Sequence, residues 1–132
     1  MDSQSIEHVI GKKFIKKKST LGEKERETYY VVEECNIDEF STCKYVLLFF
    51  SAGWCPPCEQ FVQVLKDFYH EINIDQKLIE VVYVSCDKQD EEFKKTYAKM
   101  PWITFPFSNS LHKELVAKYE ICGVPMIYVL DA

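Results

Sequence analysis

Two cysteines, Cys55 and Cys58, are separated by Pro56 and Pro57 and preceded by Trp54. Thiols at this spacing can close a small disulfide ring and reopen it, which is the chemistry of thiol–disulfide exchange. The same spacing also occurs as half of a metal site, so the flanking elements decide. Upstream, Tyr45-Val46-Leu47-Leu48-Phe49-Phe50 has the composition of a buried strand. Downstream, Phe61, Val62, Leu65, Phe68, Tyr69 and Ile72 recur with helical spacing. The pair therefore stands where a strand becomes a helix, and a helix N-terminus offers free N–H groups and partial positive charge to a thiolate. With Cys55 as the cap, Pro56 and Pro57 take the first two helical positions, where a missing N–H matters little. Their lack of N–H leaves that of Cys58 as the first one available to the Cys55 sulfur. Cys55 is expected to be the exposed attacking thiolate and Cys58 the more buried resolving thiol.

The rest of the composition narrows the setting. The chain has 132 residues, 47% of them hydrophobic and 14% aromatic, enough for one domain with a single core. A net charge of −5 excludes a dedicated nucleic-acid binder. The first residues are polar and acidic, unlike a signal peptide, and the apolar run Val46–Phe50 is too short to span a bilayer. A cytoplasmic protein with no membrane partner is expected. Cys35, Cys43, Cys86 and Cys122 form no second close pair, and His8, His70 and His112 are isolated. The four cysteines are read as free packing residues; no metal and no cofactor are expected.

Along the chain, residues 1–10 read as a polar lead-in to one domain spanning 1–132. Lys12, Lys13, Lys16, Lys17 and Lys18 suit a solvent-facing strand at a sheet edge. Leu21–Glu27 looks like a hairpin connection and Thr28–Glu34 like the returning strand. A short connector follows, with Asn36 a candidate cap for a brief helical turn. The motif helix spans about 56–73, and Leu78–Ser85 is a second buried strand; strand, helix, strand in this order is a parallel crossover. Cys55 and Asp87 would then both lie beyond the carboxyl ends of the strands, where ligand chemistry gathers in open α/β sheets. Asp87–Lys99 reads as a helix capped by Asp87 or Asp90 and ended by Met100-Pro101-Trp102. Residues 103–109 read as irregular, Ser110 as the cap of a helix carrying Leu111, Leu115, Val116 and Tyr119, and Met126–Leu130 as a last strand.

Taken together, Phe50-Ser51-Ala52-Gly53-Trp54-Cys55-Pro56-Pro57-Cys58, Val81-Val82-Tyr83-Val84-Ser85-Cys86-Asp87, Met100-Pro101-Trp102 and Gly123-Val124-Pro125 resemble the thioredoxin superfamily, and within it the tryparedoxin and nucleoredoxin branch. The resemblance covers about residues 11–132. It implies an α/β thioredoxin-like fold: a central mixed sheet flanked by helices, opened by an N-terminal β-hairpin. It also implies that Pro125 is cis and faces the sulfurs. The implied function is thiol–disulfide oxidoreductase, reducing protein disulfides with electrons from an upstream dithiol reductant. Cys55 and Cys58 would be catalytic, with Trp54, Pro56, Pro57, Val124 and Pro125 forming the substrate surface.

Three departures from the family stand out. Glu59 replaces a residue that is usually basic, and its carboxylate is expected to oppose the thiolate. Cys86-Asp87 stands in place of Trp-Asp, which makes Asp87 a second candidate for tuning the thiols. The C-terminal strand and helix of the family are absent after Asp131-Ala132. The expectation is a piece of a longer polypeptide, or a chain whose last strand is covered by a partner or by self-association. The alternative reading is a non-catalytic scaffold or subunit that keeps the fold.

Overall fold

The computed structural model describes residues 14–24, 27–35, 37–107 and 109–131. The lead-in, Lys12, Lys13 and the Asn36 cap lie outside them. Six strands form one mixed sheet, with three α-helices packed on its faces. In chain order come β1 (Phe14–Lys24), β2 (Glu27–Cys35), a 3-10 turn (Ile37–Phe40), β3 (Tyr45–Ser51), α1 (Pro56–Ile72) and β4 (Ile79–Ser85). Then follow α2 (Asp90–Tyr97), β5 (Ile103–Thr104), α3 (Asn109–Lys118) and β6 (Met126–Asp131). The spatial order is β2-β1-β5-β4-β3-β6.

β3 and β4 form the parallel centre, in register from Tyr45↔Ile79 to Ser51↔Ser85. Six of the seven β3 residues and all seven of β4 are buried, because α1 and α2 cover one face and α3 with Phe40 of the 3-10 turn covers the other. Alternation sorts their side chains into two cores. Leu47, Phe49, Val81 and Tyr83 meet Leu65 of α1 and Phe93 and Tyr97 of α2. Val46, Leu48, Phe50, Val82 and Val84 meet Phe14, Phe105 and Leu115. Met100-Pro101-Trp102 ends α2 by burial: the Trp102 ring packs edge-on against Phe49 and Tyr69, and the Tyr97 hydroxyl donates to the Trp102 carbonyl at 2.6 Å.

α1 starts at Cys55, whose backbone is extended (φ −112°, ψ 106°), with both prolines in its first two positions. It stops at Asn73, whose side-chain oxygen accepts the Leu78 and Ile79 N–H groups at 2.9 and 3.1 Å. One residue thus ends the helix and fixes the start of β4. The apolar stripe of α1 is narrower than the sequence suggested: Leu65 is buried, but Phe68 is exposed.

Several expectations are corrected. The hairpin strands run to Lys24 and from Glu27, so the connection is shorter than Leu21–Glu27. β1 is not the edge strand; β2 is, and β1 also pairs with β5. β5 falls in the stretch read as irregular. Its two residues pair parallel with Val82 and Tyr83, and so short an element has no period to detect. α2 is capped by Gln89 without a side-chain hydrogen bond, because the Asp87 carboxylate is engaged elsewhere. α3 starts at Asn109, one residue before Ser110. The cis Val124–Pro125 bond and the N-terminal hairpin are as expected. Among the described residues β6 pairs with β3 alone, and Met126, Tyr128 and Val129 are exposed.

Candidate active site

The strand-to-helix junction places Cys55 and Cys58 one turn apart at the head of α1. Both thiols are free. Cys58 is 1% exposed and Cys55 is 7% exposed. The order of burial is the expected one, but Cys55 is not an exposed thiol. Its sulfur faces the loop after α3 and lies 3.8 Å from the Val124 carbonyl oxygen. The Cys58 N–H does not serve the Cys55 sulfur either. It donates to the Cys55 carbonyl at 3.0 Å, as the first bond of the helix.

Burial pushes the Cys58 thiol up, and the Cys55 side chain pushes in the same direction. The nearby Ser51 hydroxyl and the Ala52 backbone act against this by favouring the thiolate. Cys58 is thus held as a thiol in the resting state, with groups in place to receive its charge.

Trp54 is 54% exposed beside the pair, and its indole N–H donates to the Cys86 carbonyl at 3.2 Å. Pro56 and Pro57 are exposed, while Val124 and Pro125 are half-buried. Glu59 forms an exposed ion pair with Lys99 at 3.5 Å. Asp87 is 1% exposed and acts on the loop. Its Oδ1 accepts the Gly53 N–H at 2.7 Å, and its Oδ2 accepts the hydroxyls of Tyr83 and Ser85, each at 2.7 Å. A side chain at Gly53 would place its Cβ 2.4 Å from the Thr96 hydroxyl, so only glycine lets the loop sit this close to α2. The turn that presents Trp54 and Cys55 is therefore clamped to a buried carboxylate.

The sequence reading missed Tyr83, Ser85, Thr96 and the Gly53 N–H. Tyr83, Ser85 and Asp87 do share a two-residue period, which puts them on one face of β4 and its extension. Nothing local links them to Gly53, 34 residues earlier. Burial pushes the thiols of Cys35, Cys43 and Cys86 up to about 11, consistent with packing roles. Cys122 departs from that group, being exposed on the loop that carries Val124. Among the described residues, no cluster of three His, Cys, Asp or Glu is arranged for a metal ion. No helix is long and apolar enough to cross a membrane, again among those residues.

Comparison with known proteins agrees with this architecture. A thioredoxin-like family model matches residues 43–132. Nucleoredoxin of Xenopus laevis is 38% identical over 88 residues, covering 66% of this chain and 21% of that protein. Tryparedoxin of Trypanosoma brucei brucei is 39% identical over 90 residues, covering 67% of this chain and 62% of that one. The chain thus matches less than two thirds of either relative. The structure of tryparedoxin I from Leishmania major superposes with a TM-score of 0.74 at 28% identity, covering 98% of this chain and 80% of that chain. The chain belongs to the thioredoxin-like family.

Proposed function

We propose that this chain reduces protein disulfides through Cys55 and Cys58. The observation that carries the reading is the pair of free thiols at the head of α1, with the Cys55 sulfur against the Val124 carbonyl. The Cys55 thiolate attacks one sulfur of a substrate disulfide. That bond breaks, one substrate thiolate leaves, and a mixed disulfide joins Cys55 to the substrate. Cys58, giving up its proton, then attacks the Cys55 sulfur and expels the second substrate thiolate. Two electrons have moved to the substrate, and Cys55–Cys58 is a disulfide until an upstream dithiol reduces it.

Trp54, Pro56, Pro57, Val124 and Pro125 supply the docking surface, with the Val124 backbone available to pair with an extended substrate. The domain is read as one unit acting in the cytoplasm. Glu59 has little part in tuning, and Asp87 acts by holding the loop. The test is reduction of insulin with dithiothreitol as electron source. Cys55→Ser and Cys58→Ser should each abolish the acceleration seen with the parent chain.

The exposed apolar residues of edge strand β6 favour one second reading, a non-catalytic module that binds a partner chain or itself there. A parent chain that leaves insulin reduction at the rate of dithiothreitol alone would select it.

A further inference from the structure

β3 ends on a hydroxyl that the resting fold does not use. Ser51 is fully buried, and its hydroxyl has no hydrogen-bond partner among the described residues. A buried polar group without a partner is a cost to the fold and calls for a reason outside packing. Ser85, the register partner of Ser51 on β4, has committed its own hydroxyl to Asp87 at 2.7 Å. The Ser51 backbone is held firmly: its carbonyl accepts the Cys86 N–H at 2.8 Å, and the Tyr83 hydroxyl lies 3.3 Å from it. The residue is fixed in place while its side-chain oxygen stays unbonded.

Alternation along β3 decides which way that hydroxyl faces. Leu47 and Phe49 pack toward α1, and Ser51, two residues further on, shares their face. The first turn of α1 carries Cys58, which is 1% exposed. Ser51 and Cys58 line one groove between α1 and α2. Against the effect of burial, the Ser51 hydroxyl and the Ala52 backbone favour the Cys58 thiolate. Yet the hydroxyl makes no bond while Cys58 is a thiol. A thiol is a weak acceptor and a thiolate a strong one, so the missing partner arises only when Cys58 loses its proton.

We propose that Ser51 is a catalytic residue of the resolving step, its hydroxyl donating a hydrogen bond to the Cys58 sulfur as charge forms there. The assignment rests on the dithiol reading above. In that step the Cys58 proton passes to solvent through the groove, and Ser51 stays neutral throughout. The Cys58 sulfur then bonds to the Cys55 sulfur, the bond from Cys55 to the substrate breaks, and the substrate thiolate leaves with the electron pair. A hydrogen bond to a charged group raises the thiolate fraction about tenfold. The less basic thiolate is a weaker nucleophile by about threefold, which leaves a net gain in rate of about threefold.

Stopped-flow reaction of the reduced chain with the chromogenic disulfide DTNB reads the two steps apart. Attack by Cys55 releases one coloured thiolate in a phase that quickens with reagent concentration. Resolution by Cys58 releases the second in a phase that does not. Every chain compared carries Cys122→Ser, so that this exposed thiol adds no phase of its own. Ser51→Ala should leave the first phase unchanged and slow the second about threefold. It should also match or exceed the parent's urea midpoint, because the hydroxyl it removes has no partner in the resting fold. A lower midpoint, an equal slowing of both phases or an unchanged second phase would each overturn the assignment and leave the dithiol reading standing. A parent chain with no second phase would overturn the dithiol reading, and this assignment with it.

Discussion

The central strand β4 carries a buried carboxylate near its start and another just beyond its end, and the two are satisfied in opposite ways. Glu80, 1% exposed, forms an ion pair with Lys77 and accepts the Tyr69 hydroxyl and the Val81 N–H, each at 3.0 Å. Lys77 reaches on to Glu39 at 3.7 Å, and Glu39 to Lys16 at 2.6 Å. Burial alone would raise Glu80 strongly. Lys77 and the two hydrogen bonds act against that, leaving a net upward shift. Among the described residues no cation pairs with Asp87; hydroxyls and the Gly53 N–H hold it. A cation completes a structural anchor at one end of the strand. At the other, neutral donors tie the anchor to the loop that presents the thiols, without placing a fixed positive charge beside them.

Breaking each anchor should separate their roles. Asp87→Ala would have the larger effect, because it leaves the Gly53 N–H and two hydroxyls short of an acceptor. Stability should fall by about 3 kcal/mol, and insulin reduction per folded molecule should also slow. Urea unfolding with a parallel activity assay checks both. Loss of stability with an unchanged rate would show that the clamp does not position the dithiol. Lys77→Met should cost about 2 kcal/mol, less than for a fully buried pair because Lys77 is partly exposed, and leave the rate per folded molecule intact. A slower rate would mean that the two ends are coupled.

A smaller effect concerns the packing cysteines. Cys35, Cys43 and Cys86 titrate at about 11 in the folded chain against an ordinary 9.0. In that interval the folded state holds protons that the unfolded state has lost, so stability should fall as pH rises from about 9 to about 11. The urea midpoint measured across this range checks it, and Cys35→Ala with Cys43→Ala should flatten the fall. At about pH 8, iodoacetamide should label Cys122 well before these three, and Cys55 before Cys58. The smallest effect belongs to Glu59. Because its charge is directed to Lys99 in solvent, Glu59→Arg should move the redox potential by less than about 30 mV, the shift equivalent to about 1.4 kcal/mol. A larger shift in equilibration with a dithiol buffer would restore Glu59 as a tuning group.

These regions also differ in how much the sequence disclosed. The dithiol was legible because strand composition, proline placement and helical spacing all point to the same junction. The parallel pairing of β3 and β4 followed from two apolar runs joined by a helix. β5 was not legible, since two residues carry no periodicity and their pairing is set by neighbours on both sides. The resemblance implied that Pro125 faces the sulfurs, but the burial of Cys55 was missed because spacing does not tell how closely the Val124 carbonyl, 69 residues away, approaches the thiol. Asp87 was placed correctly at the strand end, but its role was read as charge. Its partners at Gly53 and Tyr83 exist only once the sheet has formed.

The central claim is that Cys55 attacks and Cys58 resolves, and a trapped intermediate tests it most directly. Cys58→Ser mixed with a disulfide substrate should stall as one covalent adduct, with peptide mapping placing the substrate on Cys55. The parent chain under the same conditions should release reduced substrate and form the Cys55–Cys58 disulfide. An adduct on Cys86 or Cys122, or none on Cys55, would contradict the account.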